Sequence, residues 1–358
     1  MLEPRPAVRN LKEYHPPLSG RTGLRLDFNE NTQGPSPRVL RALRKIAVEQ
    51  LARYPEREPV ERLAAQFLGM DPQQVLLTNG VDEAIHLLCQ TYLQAGDEAL
   101  VVVPTFAMYE LLAASTGAEV IPVPALSDFA FPTKNLLDRI SPATRLIAIA
   151  NPNNPTGAVA SPSDILQVAR AAAHTAVLVD EAYFEFYGET LLPQISDVPN
   201  LFVTRTFSKA YGMAGLRVGV LVGSAQQIRV VRKAASPYNV NAVALACLPA
   251  ALEDQDFVER YAAEVRRGRE RLEAKFCSLG IPYWPSHANF VLAHFGSCAQ
   301  TFVAAMHSRD ILVRDRSSEP GCDGCVRITI GTAEQMDRML AALEATVRAM
   351  SIGKGSFA

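Results

Sequence analysis

Seven short apolar runs recur between helical stretches, at 75–78, 99–103, 119–123, 146–150, 176–180, 201–204 and 218–222, and this alternation constrains the fold most. A run such as Val177-Leu178-Val179 is apolar at successive positions, as in a strand covered on both faces. Strands alternating with helices argue a mostly parallel α/β sheet of seven strands. The helical stretches carry their own periodicity. Over 59–69, Val60, Leu63, Ala64, Phe67 and Leu68 follow the spacing of one buried face, with Pro59 suited to the first turn and Gly69 to the stop. After Gly80, a second stretch repeats the pattern with Val81, Ile85, Leu88, Cys89 and Tyr92.

Beyond about residue 240 the texture changes. Long helical stretches at 241–252 and 256–279 precede a strand-like 289–292, a helix near 298–308, strands at 311–314 and 326–330, and a final helix at 333–350. This reads as a smaller α+β domain. The division expected is 1–45 as an N-terminal arm and part of the small domain, 46–240 as the large domain, and 241–358 as the small domain. Residues 351–358 read as frayed, and no internal repeat is present.

Composition removes several function classes. The 358 residues are 48% hydrophobic and 20% charged, which supports a sizeable core. The net charge is −2 with no dense basic run, which argues against nucleic-acid binding by phosphate neutralisation. No apolar run reaches the ~18 residues of a membrane span. The N-terminus lacks the apolar centre of a signal peptide, so a soluble, cytoplasmic protein is expected. Most of the six cysteines sit among apolar neighbours, as buried free thiols do. Cys322 and Cys325 form a CxxC, but no second pair or nearby histidines complete a zinc set, so it reads as a loop feature and no metal is expected.

Open parallel sheets bind ligands at the carboxyl ends of their strands. Thr78-Asn79-Gly80, Asn151, Asp180 and Thr206 all fall there. Gly80-Val81-Asp82 starts a helix, where free N–H groups attract phosphate, although an ordinary βα turn would look the same. Asp180 closes an apolar run, so its carboxylate needs a partner: a protonated ring nitrogen, a salt bridge or a helix cap. Asn151-Pro152-Asn153-Asn154-Pro155-Thr156-Gly157 is turn-rich, yet it follows an apolar strand at the ligand edge. Lys209 stands in Thr206-Phe207-Ser208-Lys209, eight residues before Arg217. Its amine can condense with an aldehyde, and Arg217 can grip a phosphate as a fork. Arg327, inside the apolar 326–330, is costly without an anion, which a structural carboxylate or a substrate could supply.

These motifs resemble the class I/II aminotransferases, over most of the chain. The resemblance implies their two-domain fold and pyridoxal phosphate as cofactor. It assigns Lys209 to the cofactor aldehyde, Asp180 to the pyridine nitrogen, Tyr183 and Asn154 to the ring hydroxyl oxygen, and Tyr109 to stacking on the ring. Gly80, Val81, Asp82, Thr206, Ser208 and Arg217 would surround the phosphate. The segments around Arg314 and Arg327, Arg53-Tyr54-Pro55 and Asn29-Glu30-Asn31 resemble those of histidinol-phosphate aminotransferases. That implies transamination between L-histidinol phosphate and 2-oxoglutarate, with Tyr14, Asn29, Tyr54, Asn154, Arg314 and Arg327 at the substrate. It also implies a homodimer, because in that family the tyrosine at Tyr54 reaches the neighbouring subunit's substrate. Rival readings are an aromatic amino acid aminotransferase, a decarboxylase of a phosphorylated amino acid, and a cofactor-retaining scaffold. Two departures touch the arm: Thr32-Gln33 replaces a commoner Pro-aromatic pair, and Tyr14-His15-Pro16-Pro17 lacks the usual glycine.

Overall fold

The computed structural model describes residues 2–15, 20 and 22–350. Residues 351–358 and the departure at Pro16-Pro17 therefore lie outside the described residues. Strands β1 (Val75–Thr78), β2 (Glu98–Val103), β3 (Glu119–Pro124), β4 (Thr144–Ala150), β5 (Ala176–Asp180), β6 (Leu201–Thr206) and β7 (Gly219–Gly223) form one seven-stranded sheet. Its order is β1-β7-β6-β5-β4-β2-β3. Strand β7 runs antiparallel to both neighbours and all other pairs are parallel, as the alternation predicts. Strands β1, β5, β6 and β7 are buried at every position, which explains their continuous apolar runs. Val177 and Val179 join one core cluster and Leu178 the other, so the period of two sorts side chains to opposite faces. Strand β3, with Pro122 and Pro124, takes the edge, where missing N–H donors are tolerated.

Helix α1 (Glu58–Leu68) departs from expectation. Its buried residues are Glu61, Ala64 and Ala65, while Leu63 and Phe67 are 44% and 39% exposed. The Glu61 carboxylate pairs with Arg57 at 3.1 Å and Arg232 at 3.0 Å, and accepts the Leu77 N–H at 2.9 Å. This polar tie to β1 sets the rotation of the helix. Helix α2 (Val81–Tyr92) follows the predicted pattern and packs Val81, Ile85, Leu88 and Cys89 inward.

The smaller sheet contains β8 (Tyr283–Trp284), β9 (Phe290–His294), β10 (Arg314–Asp315) and β11 (Cys325–Thr329), antiparallel in the order β10-β11-β9-β8. The single strand expected at 311–314 is two. Ile311–Leu312 pairs in parallel with Leu24–Arg25, and after Val313 the chain crosses to β11. The arm is thereby built into the smaller lobe, with Leu24 and Leu26 buried. Helices Ala242–Leu252, Gln255–Leu279, Ala299–His307 and Ala333–Ala349 complete this half. One core cluster runs through both sheets, from Val177 and Val203 to Phe290 and Val326, so the two sheets share one packed core. Among the described residues, no helix is long and apolar enough to cross a membrane.

Candidate active site

The ends of β4, β5 and β6 converge by register. Ala150 pairs with Asp180, and Asp180 with Thr204. A cavity opens there, and all the expected cofactor residues except Gly80 line it: Val81, Asp82, Tyr109, Asn154, Asp180, Tyr183, Thr206, Ser208, Lys209 and Arg217.

Lys209 reaches the cavity from the loop after β6. Its Nζ donates to the Phe28 carbonyl at 3.1 Å, a neutral acceptor. Burial, then the charge of Arg327, lowers its pKa to about 8. The amine is therefore deprotonated far more readily than an ordinary lysine, able to act as a nucleophile or carry a proton.

Asp180 ends β5. Its Oδ2 accepts the Tyr109 hydroxyl at 2.5 Å and its Oδ1 accepts the Thr204 hydroxyl at 2.9 Å. Burial raises its pKa to about 6 against those two hydrogen bonds, which favour the charged form. No lysine or arginine lies within ion-pair distance of it among the described residues. A buried carboxylate lining a cavity with no cation beside it suits a protonated ring nitrogen. The sequence marks Tyr109 for stacking alone; the structure adds its bond to Asp180 and sets its ring edge-on to Phe106 at 5.8 Å.

Tyr183 accepts the Asn29 side-chain N–H at 3.0 Å, which leaves its own phenol proton available. Burial raises its pKa, and Arg327 opposes the rise. Asn29 adopts the left-handed region at φ 56°, tolerated by asparagine, and Thr329 holds its side chain at 3.0 Å. Asn29 thus acts on the cavity through Tyr183.

Gly80, at φ 75°, caps α2, whose first N–H groups lack intrahelical acceptors. A Cβ on Gly80 would stand 2.6 Å from Arg217 Nη2, so glycine is what lets the guanidinium approach the helix end. Arg217 pairs with Asp82 at 3.0 Å, but the two side chains are 43% and 46% exposed, so an arriving phosphate meets a weak competitor. Thr206 and Ser208 line the cavity beside this helix end, with the Thr206 hydroxyl accepting the Ser208 N–H at 3.1 Å.

Arg327, on β11, is 5% exposed. Nη1 donates to Asn154 Oδ1, Nη2 donates to the Asp27 carbonyl at 2.6 Å, and Nε is buried with no partner. Burial lowers its pKa to about 10, still charged at neutral pH. No carboxylate lies within ion-pair distance among the described residues, so the structural alternative for this arginine is not what the fold contains. Asn154, expected at the ring oxygen, also orients Arg327. Arg314 stands opposite Arg327 in the β10–β11 register and over the Phe28 ring at 5.5 Å.

Of the six substrate candidates, Asn154 lines the cavity, Asn29 and Arg327 reach it through Tyr183 and Asn154, and Arg314, Tyr54 and Tyr14 are not among its lining residues. Tyr54 is 78% exposed and stacks on Tyr238 at 4.3 Å, beside a separate groove. Tyr14 is 44% exposed and borders a groove with Glu110 and Val120. The sequence reading missed Thr204 and the carbonyls of Asp27 and Phe28. Thr204 had a signal, a hydroxyl within the apolar β6; backbone carbonyls have none.

A family model described as aminotransferase class I and II matches residues 21–343. A histidinol-phosphate aminotransferase of Symbiobacterium thermophilum is 39% identical, over 96% of this chain and 98% of that protein. A second, from Methylococcus capsulatus, is 35% identical over 95% and 96%. The crystal structure of histidinol-phosphate aminotransferase from Sinorhizobium meliloti, in complex with pyridoxal-5'-phosphate, superposes with a TM-score of 0.87 at 25% identity, covering 97% of this chain and 98% of that one. The chain belongs to the class I and II aminotransferases.

Proposed function

We propose that this enzyme is a homodimeric histidinol-phosphate aminotransferase that moves the amino group of L-histidinol phosphate to 2-oxoglutarate with pyridoxal phosphate. The observation that carries the substrate reading is Arg327: buried, charged, with an orphaned Nε, and hydrogen-bonded among the described residues to neutral acceptors. Burying such a charge is costly without an anion, and the transaminated molecules bring one. The names of the similar proteins support the same reading.

The residues present fit the cofactor. Its phosphate would rest on the start of α2, Thr206, Ser208 and Arg217. Asp180, steadied by Tyr109 and Thr204, would keep the ring nitrogen protonated. Tyr183 and Asn154 would hold the ring oxygen, and the Tyr109 ring would cover a face. When bound, pyridoxal phosphate supplies a cationic ring that withdraws electrons from the substrate carbon bearing the amine.

Lys209 is the residue that holds the cofactor and, once freed, moves the proton. Its Nζ, held beside the Phe28 carbonyl, would accept the proton of the amine-bearing carbon, which the bound cofactor would acidify, and would carry it within the site. Arg327 and Asn154 anchor the substrate anion, phosphate in the donor and α-carboxylate in the oxo acid. Arg314 and Tyr14 add to the anion site, and Tyr54 enters from the other subunit. The exposed Tyr54, Leu63 and Phe67 suit a dimer face. In this reading 46–240 carries the cofactor, and 241–358 with the arm 1–45 carries the substrate arginines.

The test is a donor comparison. Histidinol phosphate should exceed phenylalanine in kcat/KM. Equal or greater efficiency with phenylalanine would move the assignment to aromatic amino acid transamination.

A further inference from the structure

Arg316 and Glu319 lie just past β10, in the turn that returns to β11. The Arg316 N–H donates to the Cys325 carbonyl at 2.9 Å, so Arg316 prolongs the strand pairing two residues beyond Arg314. Residues two apart on a strand share a face. Arg314, Arg316 and Arg327 thus bring three guanidiniums to one side of the smaller sheet.

Among the described residues one carboxylate, Glu319, pairs with Arg316. Glu319 Oε1 pairs with Arg316 Nη2, and the side chains are 22% and 11% exposed. The adjacent Asp315 is turned to Ser317, accepting its N–H at 2.8 Å and its hydroxyl at 2.6 Å. The Arg316–Glu319 pair is itself incomplete, because Arg316 Nε and Glu319 Oε2 are buried without partners. Buried ion pairs kept for stability ordinarily have their remaining polar atoms satisfied. Arg316 is also within electrostatic reach of Arg327, Arg314 and Tyr14, and of Tyr183 in the cavity. Burial and then Arg327 and Arg314 lower its pKa to about 9, so it remains charged at neutral pH.

We propose that Arg316 is a further specificity-determining residue for the phosphate of the substrate, and that Glu319 is an internal stand-in which the arriving phosphate displaces. This rests on the reading of Arg327 as the substrate-anion anchor. A phosphate has three terminal oxygens and up to two charges, enough to engage Arg327, Arg314 and Arg316 together. A carboxylate has two oxygens and one charge, which Arg327 with Asn154 or Arg314 already matches. Separating Arg316 from Glu319 is unfavourable, and the dianion offsets that better than a carboxylate does. The pair therefore raises discrimination between phosphorylated and plain amine donors.

The experiment titrates the holoenzyme, whose cofactor phosphate seat is filled, with inorganic phosphate by calorimetry. It also measures kcat and KM for histidinol phosphate and phenylalanine. Arg316→Gln should weaken phosphate about tenfold, the loss of one charge-assisted hydrogen bond, and lower the efficiency ratio of the two donors by a similar factor through KM. Arg316→Lys keeps the charge without the fork and should fall between. Glu319→Gln should act in the opposite direction, tightening phosphate several-fold. If Glu319→Gln weakens phosphate as Arg316→Gln does, the pair is structural and the proposal fails. An unchanged donor ratio in Arg316→Gln also overturns it. Phosphate binding is read without turnover, so failure to transaminate histidinol phosphate would reject the substrate assignment while leaving this result interpretable.

Discussion

Arg327→Met separates a functional from a structural arginine by moving activity and stability in opposite directions. In the substrate-free protein the change removes two hydrogen bonds, to Asn154 Oδ1 and the Asp27 carbonyl. Each is donated by a charged group and contributes about 1.5 kcal/mol net. It also relieves the burial of an unpaired guanidinium, whose desolvation costs several kcal/mol. Methionine fills much of the same volume, so the net should be a gain of about 2 kcal/mol. At roughly 2.1 cal/mol/K per residue, 358 residues correspond to an unfolding entropy of about 0.75 kcal/mol/K. The melting midpoint should therefore rise by about 3 °C. Catalysis should fall because the substrate anion loses its buried cation. Truncating one partner of a buried charge pair costs about 2–5 kcal/mol, or about 30- to 5,000-fold in kcat/KM. The loss should affect the donor and 2-oxoglutarate alike, read from single-turnover changes in cofactor absorbance with each. A lower melting midpoint with less than about fivefold loss of efficiency would mean that Arg327 is a structural tie, and the reasoning would be wrong.

Capture of pyridoxal phosphate by the cofactor-free protein needs neutral Lys209. Because burial lowers that pKa to about 8, the capture rate should rise about tenfold per pH unit below 8 and level off above it, and a flat profile across that range would contradict the assignment. Borohydride reduction of the loaded protein should then fix cofactor mass on the Lys209 peptide and on no other. Asp180→Asn should slow proton removal about a hundredfold or more while phosphate anchoring survives, and single-turnover rates near wild type would refute it. Tyr109→Phe removes a hydrogen bond that favours ionised Asp180, so the acid limb of the pH–rate profile should move to higher pH; an unmoved limb would mean the contact is incidental. Tyr54→Ala and Lys209→Ala, each inactive alone, should regain partial activity when mixed and allowed to exchange subunits, an outcome that an active monomer in sedimentation would exclude.

The large sheet was legible because strands covered on both faces leave a signal needing no knowledge of their neighbours. Val177-Leu178-Val179 could hardly lie elsewhere than in a buried strand, and a carboxylate at its end had to find a special partner. The place of Asp180 and Thr206 at the ligand edge was legible for a related reason, since each follows an apolar run, whereas the roles expected of Lys209, Asp180 and Arg217 came from the family resemblance. The inward face of α1 was not legible. Apolar spacing pointed to Leu63 and Phe67, but two arginines and an N–H from β1 hold Glu61 inside, and those partners lie up to 171 residues away in sequence.

The sequence by itself determined the elements, their order and the reactive groups, because these follow from local periodicity and residue chemistry. Tertiary structure alone decided which group answers which. It split the chain at Val313 so that one half pairs with the arm and the other with β11. It placed the Tyr109 hydroxyl on Asp180, 71 residues away, and Asn154 on Arg327, 173 away. Among the described residues it left Arg327 without a carboxylate at ion-pair distance, and it left Tyr54 outside the cavity lining. Hydrogen bonds and desolvation act over a few ångströms of space, and separation along the chain says nothing about which residues come that close.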